Sequence, residues 1–251
     1  MRIEVRPVSY AAVEDLRDLY RGGLPCQIRY DSMLRRGLAD PYLISADGRV
    51  AGYGGVLNRY DPGRLCEFYV VPHHRGHALP MFRALLAGSR ATEIAAQTND
   101  PLMLLMLYDC GRDIRTESIL FEDALPSALP CPGGRFRRGE PGERGPGAED
   151  EDPRWVIEAG GAVVATGGFL THYNPPYADI YMTVGEAERR RGFGSYLVQE
   201  LKRVCYEAGR RPAARCNPAN IGSRRTLEKA GLLPCARVLV GAVDPDAAAG
   251  A

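Results

Sequence analysis

The chain has 251 residues, is 45% hydrophobic and 25% charged, and carries a formal net charge of +1. That balance belongs to a globular protein of one large or two smaller domains, and it gives no reason to expect nucleic acid or an anionic membrane as partner. No apolar run approaches the roughly 20 residues of a membrane helix, and "MRIEVRPVSY" has no apolar core of a secretory signal. The seven cysteines (Cys26, Cys66, Cys110, Cys131, Cys205, Cys216 and Cys235) are widely spaced without a C-x-x-C pair. They fit reduced thiols in a cytoplasm better than a disulfide or zinc framework.

In chain order, "RIEVRPV" reads as a strand, and Ala11–Tyr20 as a helix with apolar residues at Val13, Leu16, Leu19 and Tyr20. "YDSMLRRGL" is a second short helix. "YLIS", a turn at Asp47-Gly48, and "RVAGYGGVL" make a hairpin. "CEFYVVP" is a strand, "LPMFRALLAG" a helix that tolerates Pro80 in its first turn, "EIAAQT" a strand, "LMLLMLYDCG" an apolar helix and "IRTESILF" a strand. A Pro/Gly-rich stretch follows, Ala124 to Asp152, with one short strand around Arg135–Arg137.

The second half repeats the order. "WVIE", a Gly160-Gly161 turn and "AVVATGGFLTHY" make a hairpin, followed by the strand "ADIYMTV". Then come the helix "GSYLVQELKRVCYEAG", the strand "PAARC", the helix "IGSRRTLEKAG" and the strand "RVLVGAV". Gly54-Gly55 and Gly167-Gly168 lie 113 residues apart, Arg75 and Arg189 lie 114 apart, and Asn99 and Asn217 both follow the next strand. The shared register predicts a duplication. The chain is therefore expected to divide into a domain over 1–123, a linker over 124–152 and a domain over 153–251.

The most cationic point of the second half, Arg189-Arg190-Arg191, stands directly before Gly192-Phe193-Gly194 and a helix. Glycines allow a tight turn and close approach of a ligand. The first amides of a helix lack internal acceptors and carry partial positive charge. Together these make a nest suited to a diphosphate. A basic surface loop with a glycine cap would look the same on these residues alone.

The stretch Arg189-x-x-Gly192-x-Gly194 resembles the signature of the GNAT superfamily of acyl-CoA-dependent N-acyltransferases, Gln/Arg-x-x-Gly-x-Gly/Ala between the fourth strand and third helix. "NIGSRRTLEKAGL", with Asn220, Lys229, Gly231 and Leu232, resembles the second family motif. The resemblance implies a mixed α/β chain of tandem GNAT-like domains, each a twisted, mostly antiparallel sheet flanked by helices. It implies an N-acyltransferase, most simply an acetyltransferase, using acetyl-CoA as cosubstrate and no metal. Met182, Thr183 and Val184 would offer backbone groups to the pantetheine arm, one of them polarising the thioester carbonyl. The amides of Arg190, Arg191, Gly192, Phe193, Gly194 and Ser195 would hold the pyrophosphate, flanked by Arg189. Asn220 and Ser223 would line the far side of the cofactor cleft. The acceptor would be an amine of a small molecule or peptide, attacking the thioester directly. A non-catalytic acyl-CoA binder, or other acyl-CoA chemistry on this fold, remains the alternative.

Some group must take the amine's proton. The candidates are Asp179, Glu186 and His172 at the end of the third strand, while Ser223, Tyr173, Tyr177 or water could supply an acid. Alternation puts Asp179, Tyr181 and Thr183 on one strand face and Ile180, Met182 and Val184 on the other; a bulge would change that parity. The family's general acid, a Tyr seven residues after the motif Asn, is replaced here by Leu227. In the first half the matching stretch is Arg75-Gly76-His77-Ala78-Leu79-Pro80. Its glycines are lost and Pro80 deletes an amide, so that half is expected to bind CoA poorly and to serve as scaffold and acceptor wall. His73, His74 and His77 read as a polar loop, not as metal ligands.

Overall fold

The computed structural model describes residues 1–25, 31–147, 154–172 and 175–249. The elements in order are β1 (Ile3–Pro7), α1 (Glu14–Gly22), α2 (Asp31–Arg35), β2 (Ala39–Ala46), β3 (Arg49–Leu57), β4 (Arg64–Val70), α3 (Ala78–Ser89), β5 (Glu93–Gln97), α4 (Pro101–Cys110) and β6 (Gly111–Asp123). There follow β7 (Arg135–Arg138), β8 (Trp155–Ala159), β9 (Ala162–Leu170), β10 (Tyr177–Val184), α5 (Phe193–Glu207), β11 (Arg211–Cys216), α6 (Ile221–Lys229), β12 (Leu232–Val243) and α7 (Pro245–Ala249). The chain forms two compact units, one of Met1–Glu117 with Ala236–Ala251, the other of Ser118–Cys235. Both divisions fall inside strands, β6 and β12.

In the first unit β1 to β4 pair antiparallel in sequence order, β4 runs parallel to β5, and β5 pairs antiparallel with β12. In the second unit β7 to β10 pair antiparallel, β10 runs parallel to β11, and β11 pairs antiparallel with β6. Each half is thus a mostly antiparallel sheet flanked by helices, as the sequence predicts. The hairpin turns carry the residues their geometry needs: Asp47-Gly48 and Gly160-Gly161 both have positive φ at each central position.

The repeated glycines have a packing reason. An added Cβ on Gly54 would lie 2.3 Å from Leu85 of α3, and one on Gly167 would lie 3.1 Å from Leu201 of α5. The first glycine of each pair therefore lets the following helix press onto the middle strand. The second glycines face the other side: Gly55 meets Leu34, and Gly168 lies under the Tyr181 ring. The arginines match too. Arg75 Nε reaches the Val70 carbonyl at 3.5 Å and Arg189 Nε reaches the Val184 carbonyl at 3.4 Å, each closing the end of the fourth strand. The asparagine correspondence shifts: the residues that cap α4 and α6 are Asp100, accepting from Met103 N–H, and Asn220, accepting from Ser223 N–H.

One core of the first unit lies between its sheet and α3 and α4, around Phe68, Met81, Phe82, Leu85 and Met103. On the opposite face α1 covers Tyr53 and Tyr69. There Arg17 donates through Nε and Nη2 to the two oxygens of Glu67, at 2.9 and 2.8 Å, and Tyr53 Oη donates to the same carboxylate at 2.8 Å. Both charged side chains are essentially unexposed. Arg17→Leu strands Glu67 in the interior without its countercharge; the expected cost is about 3–5 kcal/mol, read as a lower denaturant midpoint. A loss below about 1 kcal/mol would contradict this account of the network.

The core of the second unit holds Phe121, Ile157, Phe193, Leu197, Leu201 and Leu227 between sheet and helices. On its other face runs the Gly-rich segment 139–147. Arg137 of β7 grips Glu143 with both Nη groups, at 3.0 and 2.5 Å, and reaches Glu158 of β8 at 2.8 Å. The guanidinium pulls the Glu143 carboxyl down to about 2. Thr166 donates to the Pro146 carbonyl, and the backbone at Gly147 lies so close to Thr183 that a Cβ would sit 2.6 Å from its hydroxyl.

Candidate functional site

β10 and β11 pair only from Tyr177–Ile180 to Arg211–Ala214. Beyond that point β10 stays with β9 as far as Val184, while β11 continues beside β6 through Cys216. The two parallel strands therefore part, leaving an opening inside the second unit. The β10–β9 register runs without a shift from Asp179 to Val184, so strand alternation holds with no bulge. Ile180, Met182 and Val184 pack with α5 in the core, which places Asp179, Tyr181 and Thr183 on the opposite face.

On the helix side, the loop before α5 has an unusual backbone. Arg190 has φ 64°, a conformation rare for a residue with a Cβ, and Gly192 has φ 94°. Arg189 between the short turn at Glu186–Glu188 and this loop is extended. The first bond of the helix is Tyr196 N–H to the Gly192 carbonyl at 3.1 Å, and the amides of Arg190 through Ser195 donate to no backbone carbonyl among the described residues. A run of unspent amides with a left-handed residue in it is a concavity for an anion. Gly194 lets this end of α5 pack closely: a Cβ there would lie 3.1 Å from Thr226 of α6 and 3.2 Å from Val184 of β10.

The charges around the nest are partly committed. Arg189 is tied to the Val184 carbonyl, and Arg191 pairs with Glu188 and lies over the Phe193 ring at 5.4 Å. Phe193 and Ser195 are buried, the Ser195 hydroxyl donating to the Gly192 carbonyl, so these two residues can serve an anion through their amides. Asn220 spends its side-chain oxygen on the cap of α6, and Ser223 supplies the amide it caps. Leu227 is 2% exposed and belongs to the core.

The corresponding place in the first unit is built differently. β4 and β5 also part, after Leu65 and Ile94. But the residues Pro72–His77 form a tight helical turn that runs straight into α3, and Ala78 N–H bonds the Arg75 carbonyl. None of the residues from Val71 to Ser89 has positive φ. Pro80 has no amide to give. The first unit has the opening but not the nest.

The proposed proton acceptors separate by burial. Asp179 is 6% exposed and sits at the apex of the opening, its Oδ2 3.2 Å from Arg215 Nε on β11. Its Oδ1 is buried without a hydrogen-bond partner among the described residues. Burial pushes the Asp179 carboxyl up to about 6, against the pull of Arg215. Glu186 is exposed in the turn beyond β10, and His172 is exposed in the bend after β9. Tyr173 lies outside the described residues. Among the described residues no cluster of His, Cys, Asp and Glu could hold a metal ion, and no helix is long and apolar enough to cross a membrane. Arg215 is the site residue that sequence reasoning missed. Its one signal is parity: it lies two residues beyond Ala213, the lateral partner of Asp179.

A parting pair of parallel strands, with an amide nest at the helix that follows the first of them, is the architecture of an acyl-CoA-binding fold. Two family models match the sequence. The acetyltransferase (GNAT) family model matches residues 121–232 and an acetyltransferase (GNAT) domain model matches residues 10–124. The chain belongs to the GNAT acetyltransferase family, with one such domain in each half. Among curated proteins none matches it. Among solved structures, a GNAT-family acetyltransferase from Colwellia psychrerythraea superposes with a TM-score of 0.77 at 12% identity, over 96% of this chain and 100% of that one. A tandem GNAT protein from the clavulanic acid biosynthesis pathway gives 0.63 at 17% identity, over 97% and 99%. A GCN5-related N-acetyltransferase from Sphaerobacter thermophilus gives 0.56 at 19% identity, over 97% and 96%. At these identities the likeness is one of fold.

Proposed function

We propose that the second unit is an acetyl-CoA-dependent N-acetyltransferase with one cosubstrate site per chain, and that the first unit binds no CoA. The observation that carries this is the nest of unspent amides from Arg190 to Ser195 beside the parted strands β10 and β11. The amides and Arg190 hold the pyrophosphate. Met182, Thr183 and Val184 offer backbone groups to the pantetheine arm, and Asn220 and Ser223 line the facing side. Asp179, on the face away from α5, takes one proton from the acceptor ammonium. The neutral amine then attacks the thioester carbon, the C–S bond breaks, and the thiolate takes the second nitrogen proton. A thiol with a pKa of about 8.5 leaves readily without an acid, which suits a chain with Leu227 at the family's acid position.

The same Leu227 favours a second reading, a protein that binds acyl-CoA without turning it over. Release of CoA thiol from acetyl-CoA, measured with and without a panel of primary amines, separates the two. Release that depends on amine supports the transferase. Binding with no release under any amine leaves a binder, and CO₂ from malonyl-CoA without amine would point to decarboxylation instead.

A further inference from the structure

Two charged groups meet where β10 and β11 part, on the face away from α5. Asp179 stands at the apex. Arg215 lies on β11 two residues beyond the lateral partner of Asp179, its side chain 32% exposed, while the Tyr181 ring leans the other way, over Gly168 of β9. The segment 139–147 rests against Thr183, further out on the same face, and Arg215 is the partly exposed group beside the apex. Among the described residues nothing donates a hydrogen bond to the buried Oδ1 of Asp179. An unsatisfied buried carboxylate oxygen is costly, and such groups need a reason. An arriving N–H donor supplies one.

We propose that the Asp179–Arg215 pair selects the acceptor, an amine with a carboxylate two or three bonds away, as in α- and β-amino acids. The amine donates to Asp179 Oδ1 and the carboxylate lies against the Arg215 guanidinium. A carboxylate and a guanidinium 3.2 Å apart present the charges of a zwitterion in reverse order. Arginine suits this role because its rigid fork of donors matches a carboxylate. Taking up the acceptor's carboxylate also shares out the cation that holds Asp179 ionised, so the carboxylate becomes more basic as the amine must lose its proton. The inference rests on the acetyltransferase reading.

The test follows CoA release from acetyl-CoA with glycine, alanine and β-alanine, each beside its amide and the matching alkylamine. Wild type, Arg215→Ala and Arg215→Lys are compared, and calorimetry with acetyl-CoA on each protein reports folding and cosubstrate binding independently. The expected result is a KM for the carboxylate-bearing acceptors at least about tenfold below that of their amides. That preference collapses toward unity in Arg215→Ala and is partly restored in Arg215→Lys, with acetyl-CoA affinity unchanged throughout. Equal use of amides and alkylamines by wild type, or turnover of no carboxylate-bearing acceptor, overturns the inference while acetyl-CoA binding keeps the reading beneath it alive. Absence of acetyl-CoA binding to wild type sinks both.

Discussion

Asp179→Asn should lower turnover by roughly 10²–10⁴-fold, the range for losing a general base, while making the protein more stable at neutral pH. The carboxyl is pushed up to about 6 in the folded chain, above its unfolded value of about 3.9. A group raised in this way contributes its stability fully below the unfolded value and loses it as pH rises through 6. At pH 7 the buried charge costs on the order of 1–3 kcal/mol, and asparagine removes that cost at the expense of the base. Wild-type turnover should correspondingly fall as pH drops below about 6, where Asp179 becomes protonated, and the variant should lack that limb. A variant with full turnover would remove Asp179 from the mechanism and return Glu186 or His172 to consideration, and one that melts lower at pH 7 would contradict the raised carboxyl.

Gly192→Pro should weaken acetyl-CoA binding by roughly 10²–10³-fold. Proline removes one amide from the nest, and a hydrogen bond to a charged group contributes about 1.5–3 kcal/mol. Its φ near −65° is also incompatible with the 94° found here, which unwinds the turn that aims the other amides. Ala78→Gly, at the matching place in the first unit, should change neither affinity nor stoichiometry. There the preceding residues already form a helical turn, and Pro80 still lacks its N–H. A variant Gly192→Pro that binds acetyl-CoA like wild type would place the pyrophosphate elsewhere.

Much of this arrangement can be read in the chain. The paired glycines at 54–55 and 167–168 announce the duplication because each first glycine must admit a helix against the middle strand. The nest is visible because only a glycine tolerates the turn at 192 at no cost. What stays hidden is set by contacts far apart in sequence. The division between the units falls inside β6 and β12; no glycine or proline marks it in β6, and in β12 it falls just after Pro234 inside a continuous strand. Asp179 and Glu186 are equal carboxylates on paper, and burial alone tells them apart. Which face Asp179 occupies depends on β10 having no bulge. Arg215 becomes a neighbour of Asp179 only through the parallel pairing of β10 with β11, and Arg137 finds Glu143 only once the Gly-rich segment crosses the sheet. Leu227 reads as a missing acid but sits in the core as an apolar residue.

The central claim is one acyl-CoA site per chain, held by the amides of Arg190–Ser195. Calorimetric titration of the intact chain with acetyl-CoA, beside Gly192→Pro, measures it directly. The account predicts a stoichiometry of one for wild type and loss of that binding in the variant. Two sites per chain, or a single site that survives the proline, would contradict it.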